Sequence, residues 1–213
     1  MTFILGASAL CALIYGALFC NAAPSTQRVV IKVGATALLT LWAYLMGAPV
    51  LIVAALAFST LGDGFLGASE EKYLLPGMGA FFVAHAAYIP LFWDHAADTR
   101  HLAVLAAQVA VTISGAVYLR SLMPWLEKSM RLPVLAYTII ILLMVNAAMR
   151  LDPAMWVAAV GAIAFAASDT LLSVELFRLK PNAPVKPVIA RAVWFLYYGG
   201  QAAIAWAFIQ AAA

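Results

Sequence analysis

The sequence predicts an all-α protein, a polytopic bundle of eight transmembrane helices, and three observations predict it. Of the 213 residues, 66% are hydrophobic and 10% charged, against about 25% charge in a soluble domain. So few polar side chains cannot cover a water-facing surface, so the outer solvent is lipid. Cutting the chain at its polar and proline-bearing breaks leaves eight apolar runs, each near the roughly 20 residues that a helix needs to cross a bilayer core. Lys and Arg, finally, concentrate in alternate breaks, as they do in a chain that crosses a membrane repeatedly.

The first run, 2–20, has no basic region before it and is too long for the apolar part of a signal peptide. Ala17-Leu18-Phe19 also lacks the small residues of a lipoprotein cleavage site before Cys20, so this run is expected to remain as a helix. It holds both cysteines, Cys11 and Cys20, which excludes a disulfide framework and a Cys-based zinc site. The run 29–46 follows the polar stretch Asn21–Arg28, and 49–67 follows Gly47-Ala48-Pro49. The run 75–93 follows Ser69–Lys72, and 102–119 follows Asp94–His101. Arg120–Arg131, with Pro124, separates off 132–149; Arg150-Leu151-Asp152-Pro153 opens 153–173; and Arg178–Pro187, with three prolines, precedes 189–210. Such short connections predict antiparallel packing of successive helices, with residues 1–213 forming one transmembrane domain.

The odd-numbered loops and their flanks hold Arg28, Lys32, Lys72, Arg120, Lys128, Arg131, Arg178, Lys180, Lys186 and Arg191, and the even loops only Arg100 and Arg150. The odd loops are therefore expected in the cytoplasm and both termini on the opposite side, with a bacterial inner membrane as the expected location. The net charge of +3 is spread over loops rather than gathered on one basic face, which excludes nucleic acid as a partner. Asp63-x-x-Leu66 in the third run and Asp169-x-x-Leu172 in the seventh lie four spans apart. They suggest a four-plus-four pseudo-repeat about an axis along the membrane normal.

An ionisable residue within a span usually faces the bundle interior and has a function. The candidates are Lys32, Asp63, His85 and Asp169. The topology brings Asp63 and Asp169 to one depth near the cytoplasmic ends of parallel helices, where two neighbouring carboxylates would hold one shared proton between them. One acid beside one base is the requirement for acid–base hydrolysis, and His85 would assist. Tyr88 lies on the helix face of His85 at i+3, and Asn146 and Gln201 lie deep enough to need hydrogen-bond partners.

Gly62-Asp63-x-x-Leu66, Phe81-x-x-x-His85-x-x-Tyr88, Ser168-Asp169-x-x-Leu172 and Tyr197-Tyr198-x-x-Gln201, in this order in an eight-span chain, resemble the YhhN family of lysoplasmalogenases. The resemblance implies hydrolysis of the vinyl-ether bond of a lysoplasmalogen to a fatty aldehyde and a glycerophospho-base, with a lysophospholipid as substrate, membrane lipid as surroundings and neither metal nor organic cofactor. It implies Asp63, Asp169 and His85 as the catalytic set. Lys32 or Arg191 would meet the phosphate, and Tyr88, Asn146, Tyr197, Tyr198 and Gln201 would line the substrate site. Two other classes use the same residue types: a small transporter or channel with intramembrane Asp and His as ion or proton sites, and a metal-dependent membrane lipid amidase or esterase with His85, Asp63 and Asp169 as ligands.

Overall fold

A computed structural model describes residues 2–68, 71–97 and 101–212; Arg100, counted above for topology, and Ser69, at the third break, lie outside the described residues. Eight helices long and apolar enough to cross a membrane make up the molecule, and among the described residues the only β pairing is an isolated bridge between Ala96 and Leu151. The helices are α1 (Thr2–Ile14), α2 (Thr26–Leu45), α3 (Val50–Gly67), α4 (Leu74–Asp94), α5 (Leu102–Leu122), α6 (Lys128–Ala148), α7 (Trp156–Phe177) and α8 (Lys186–Ala212). Large apolar side chains such as Leu10, Val30, Leu105, Ile113, Leu132 and Val160 are exposed, which for an integral membrane protein is contact with lipid.

Local chemistry sets the ends. Ser25 caps α2 by accepting a 3.2 Å hydrogen bond from the Arg28 amide. At the other end Gly47 adopts φ +73°, a left-handed conformation that favours glycine. The amides of Gly47 and Ala48 then bond to the carbonyls of Tyr44 and Ala43, both at 3.0 Å. Several helices exceed the expected runs: α6 starts at Lys128 and carries Pro133 inside it, α7 continues to Phe177, and α2, α5 and α8 each extend about three residues further at one end. Neighbouring helices and side chains satisfy a backbone group freed by proline in a membrane, so proline is no firm stop there. After Ile14 the first span continues as a π-helical turn, Tyr15–Phe19, a distortion frequent at functional sites.

Glycines set the closest approach. A Cβ on Gly161 of α7 would lie 2.7 Å from the Gly200 carbonyl oxygen of α8, and one on Gly200 would lie 2.6 Å from that of Gly161. Only paired glycines let these backbones touch, as small residues do in membrane bundles. Helices α1 to α4 pack in sequence order, but α4 turns to α6. This corrects the expectation that every successive pair packs together, for α5 packs chiefly on α6 and is almost wholly unburied. Polar contacts fasten it there: Gln108 Nε2 donates to the Asn146 carbonyl at 2.8 Å, and Asn146 Nδ2 donates to Thr112 Oγ1 at 3.2 Å. The displacement of α5 leaves a cleft among α4, α5, α6 and α7.

Candidate active site

Asp63 lies on the last turn of α3 and is 1% exposed. Its Oδ1 is 3.1 Å from Lys32 Nζ of α2, and its Oδ2 accepts a 2.8 Å hydrogen bond from the Tyr197 hydroxyl of α8. Lys32 Nζ also sits 5.9 Å from the ring centroids of both Tyr15 and Trp194. Gly62 makes room for this arrangement, because a Cβ there would fall 2.5 Å from the ring of Phe81, which packs edge-on against Tyr197. An ammonium at contact distance and a hydroxyl donor on the other oxygen both favour the ionised form of Asp63, against the cost of its burial.

Asp169 is on α7, and its Oδ2 accepts a 3.1 Å hydrogen bond from the Tyr137 hydroxyl of α6. His85 Nε2 of α4 is 3.2 Å from the same oxygen. The other ring nitrogen, Nδ1, lies 2.7 Å from the Phe81 carbonyl oxygen. A carbonyl only accepts, so Nδ1 carries a proton. An unprotonated Nε2 facing an ionised carboxylate is repulsive, and a proton on either partner removes that repulsion. That contact is not aligned as a hydrogen bond, and His85 Nε2 has no other partner. The ring is fully buried against Phe165, at a centroid distance of 4.4 Å.

The expected pairing of the two carboxylates is corrected by this geometry. Among the described residues no hydrogen bond joins Asp63 to Asp169; each has its own partner that supplies positive charge or a proton. Two buried carboxylates in contact repel unless a proton separates them, whereas here Lys32 lies against Asp63 and the His85 ring against Asp169. Each Asp takes one partner from the preceding helix, Lys32 or Tyr137, and one from the other half of the chain, Tyr197 or His85.

Two cavities meet at this place. One, of about 490 Å³, is charged and carries Arg28, Lys32, Asp63, Glu71, Asp169, Glu175 and Lys186, with Tyr15, Trp194 and Tyr197 on its walls. The other, of about 430 Å³, fills the cleft beside α5 and is apolar, with Val111, Leu142, Val145 and Ile163 among its lining. Asp169, Leu66, Leu74, Phe81, Leu172 and Leu176 line both. Asp169 is thus the ionisable group at the boundary between a polar and an apolar chamber, a shape complementary to an amphiphile.

The remaining predicted residues stand elsewhere. Tyr88 is buried, and its hydroxyl donates to Gln201 Oε1, while Gln201 Nε2 donates to Ser59 Oγ at 2.7 Å. This network braces α3, α4 and α8 behind the site, and neither Tyr88 nor Gln201 lines a chamber. Tyr198 faces α1 through a 2.7 Å contact with Ser8, and Asn146 ties α5 to α6. Arg191 is exposed and off both chambers; Lys186, five residues earlier on α8, lines the charged one. Among the described residues no three His, Cys, Asp or Glu side chains cluster as metal ligands, so His85, Asp63 and Asp169 do not converge on one point. Sequence reasoning missed Tyr137 and Glu175. Tyr137 carries no sequence signal, but Glu175, an acid two residues from the end of an apolar helix, offered one.

The model of the YhhN family matches residues 4–208, nearly the whole chain. Lysoplasmalogenases of Mycobacterium bovis and Mycobacterium tuberculosis are each 33% identical to it over 153 residues, which is 68% of this chain and 55% of theirs. The match thus spans about half the length of these curated relatives. No solved structure matches the chain. The chain belongs to the YhhN family.

Proposed function

We propose, with that family membership as the premise, that this chain is a membrane hydrolase that cleaves the vinyl-ether bond of lysoplasmalogens. The observation that carries this reading is the position of Asp169 where the charged and apolar chambers meet. In a lysoplasmalogen the vinyl ether is the junction between a polar glycerophospho-base and an apolar chain. A substrate with its chain in the apolar chamber and its headgroup in the charged one presents that bond to the His85–Asp169 pair.

The reaction begins with the slow step, transfer of the pair's proton to the alkenyl carbon once removed from the ether oxygen. This leaves an oxocarbenium ion, which the Asp63 carboxylate, kept ionised by Lys32, stabilises. A water adds to the cationic carbon and gives up a proton to a carboxylate, forming a hemiacetal. Its hydroxyl then loses a proton, the bond from the former alkenyl carbon to the glycerol oxygen breaks, and that oxygen is protonated. The sum is one water consumed, one fatty aldehyde and one glycerophospho-base released. With the odd loops in the cytoplasm, as their basic residues favour, the charged chamber lies toward that face.

The test follows the proton. Purified protein in deuterated water, given a lysoplasmenyl lipid, is expected to yield aldehyde with one deuterium on the carbon next to the carbonyl. A lysoacyl lipid of equal length is expected to release no fatty acid. The aldehyde is trapped rapidly, and a control with preformed aldehyde measures enolisation. Labelling no greater than that control, or cleavage of the lysoacyl lipid alone, refutes the reading.

A further inference from the structure

Two antiparallel helices that share a register carry opposite charges into the charged chamber without joining them. Gly161 meets Gly200, and seven residues on along α7, seven back along α8, Ser168 Oγ donates to the Val193 carbonyl at 2.9 Å. Seven further residues bring Glu175 opposite Lys186. Both line the chamber, and of the charges acting on Glu175 that of Lys186 is the strongest. Yet among the described residues Glu175 has neither an ion pair nor a hydrogen bond. It is half-buried in a chamber that Arg28, Lys32, Asp63, Asp169 and the exposed Glu71 also line, and the two nearest other cations are already engaged: Arg28 with the Phe19 and Gly67 carbonyls, Lys32 with Asp63. A chamber built only to receive a phosphate would have no use for this carboxylate, which repels one.

We propose that Glu175 and Lys186 form a receptor for a zwitterionic headgroup, Lys186 taking the phosphate and Glu175 the ammonium of the base. The inference rests on the vinyl-ether reading for its substrate, and chain lengths support it. Glu175 is six residues beyond Asp169 on α7, an axial rise of about 9 Å at 1.5 Å per residue. From the alkenyl carbon on the ether oxygen to the nitrogen of a glycerophosphoethanolamine there are ten bonds, about 12 Å when extended at the advance per bond of a stretched chain. A slightly bent headgroup therefore spans from Asp169 to Glu175. A primary ammonium suits the carboxylate best, since it can donate charge-assisted hydrogen bonds.

The test is a binding comparison that does not need turnover. Two saturated-ether lysolipids with the same chain are used, a 1-alkyl-glycerophosphoethanolamine and a 1-alkyl-glycerol-3-phosphate, titrated against the full chain in detergent. Lysines and arginine alone would favour the more anionic phosphate monoester. Glu175 reverses that, and the ethanolamine lipid is expected to bind about 10- to 100-fold more tightly, the range for a charge-assisted hydrogen bond. In Glu175→Gln the ratio of the two affinities is expected to fall at least tenfold, and in Glu175→Lys to invert. A ratio within each protein is insensitive to partial misfolding. Should either variant fail to fold, the wild-type preference decides alone. Equal binding or monoester preference in the wild type, or an unchanged ratio in folded Glu175→Gln, overturns the proposal. Absence of aldehyde from every lysoplasmenyl lipid would overturn the hydrolase reading and leave this binding result standing.

Discussion

Replacing Lys32 with Met removes the ammonium 3.1 Å from Asp63 Oδ1 and keeps an unbranched side chain of similar length among Tyr15 and Trp194. At that separation two unit charges attract by about 5 kcal/mol for an effective dielectric constant of about 20. Part of that attraction offsets the cost of burying the ammonium, so the pair's net worth is smaller. Asp63 is 1% exposed, and in the variant it retains only neutral hydroxyls, those of Tyr197 and Thr36, so its charge is stranded at a cost of about 3–5 kcal/mol. Asp63 can escape that cost by taking up a proton, and it then ceases to be a carboxylate. Lys32→Met is accordingly expected to lose both stability and turnover number. A lysine that only bound substrate phosphate would raise KM and leave stability unchanged. Adding Asp63→Asn to Lys32→Met removes the stranded charge, so the double variant is expected to recover about 2 kcal/mol or more over Lys32→Met alone. The measurement is a double-mutant cycle of unfolding in detergent, with steady-state kinetics on each member. A coupling below about 0.5 kcal/mol, the scatter expected of independent sites, would refute the pair as the device that keeps Asp63 ionised.

Asp169→Asn keeps the shape of the side chain but cannot carry the shared proton, and is expected to lose at least about 10²-fold in kcat while remaining extractable; a near-normal rate would make Asp169 structural. Asp63→Asn is expected to lose a comparable factor, with the deuterium label retained in any residual product, because the donor pair is intact. Gly200→Ala places a methyl group 2.6 Å from the Gly161 carbonyl oxygen and is expected to destabilise by about 1–3 kcal/mol, the range for overpacking, read as a lower midpoint in thermal unfolding. In a background without Cys11 and Cys20, a cysteine at the exposed Ser129 is expected to be shielded from an impermeant thiol reagent in intact cells and one at Ala154 labelled; the reverse pattern would invert the topology.

The eight helices were legible because the bilayer asks a local question of the chain. Whether 20 consecutive residues are apolar enough to enter lipid is answered within the run, and the Lys and Arg of adjacent loops are counted without knowing any contact. Asp63, His85 and Asp169 were legible for the same reason, since a charge within such a run is conspicuous wherever it points. Their partners were not. Tyr137 and Asp169 are 32 residues apart, Tyr197 and Asp63 are 134 apart, and nothing in either local sequence specifies the other. Only the packing of α3 and α7 among α2, α4, α6 and α8 separated the two carboxylates and gave one a lysine and the other a histidine. The same packing set aside Arg191, which lies on the wrong face of α8, and brought Lys186, five residues earlier, into the chamber. It also moved α5 outward and so opened the apolar cleft, although α5 is as apolar in sequence as its neighbours. Composition fixes which segments leave water. Which side chains then meet is settled by interhelical contacts, where a glycine at 161, 200 or 62 determines how closely two backbones or a backbone and a ring approach.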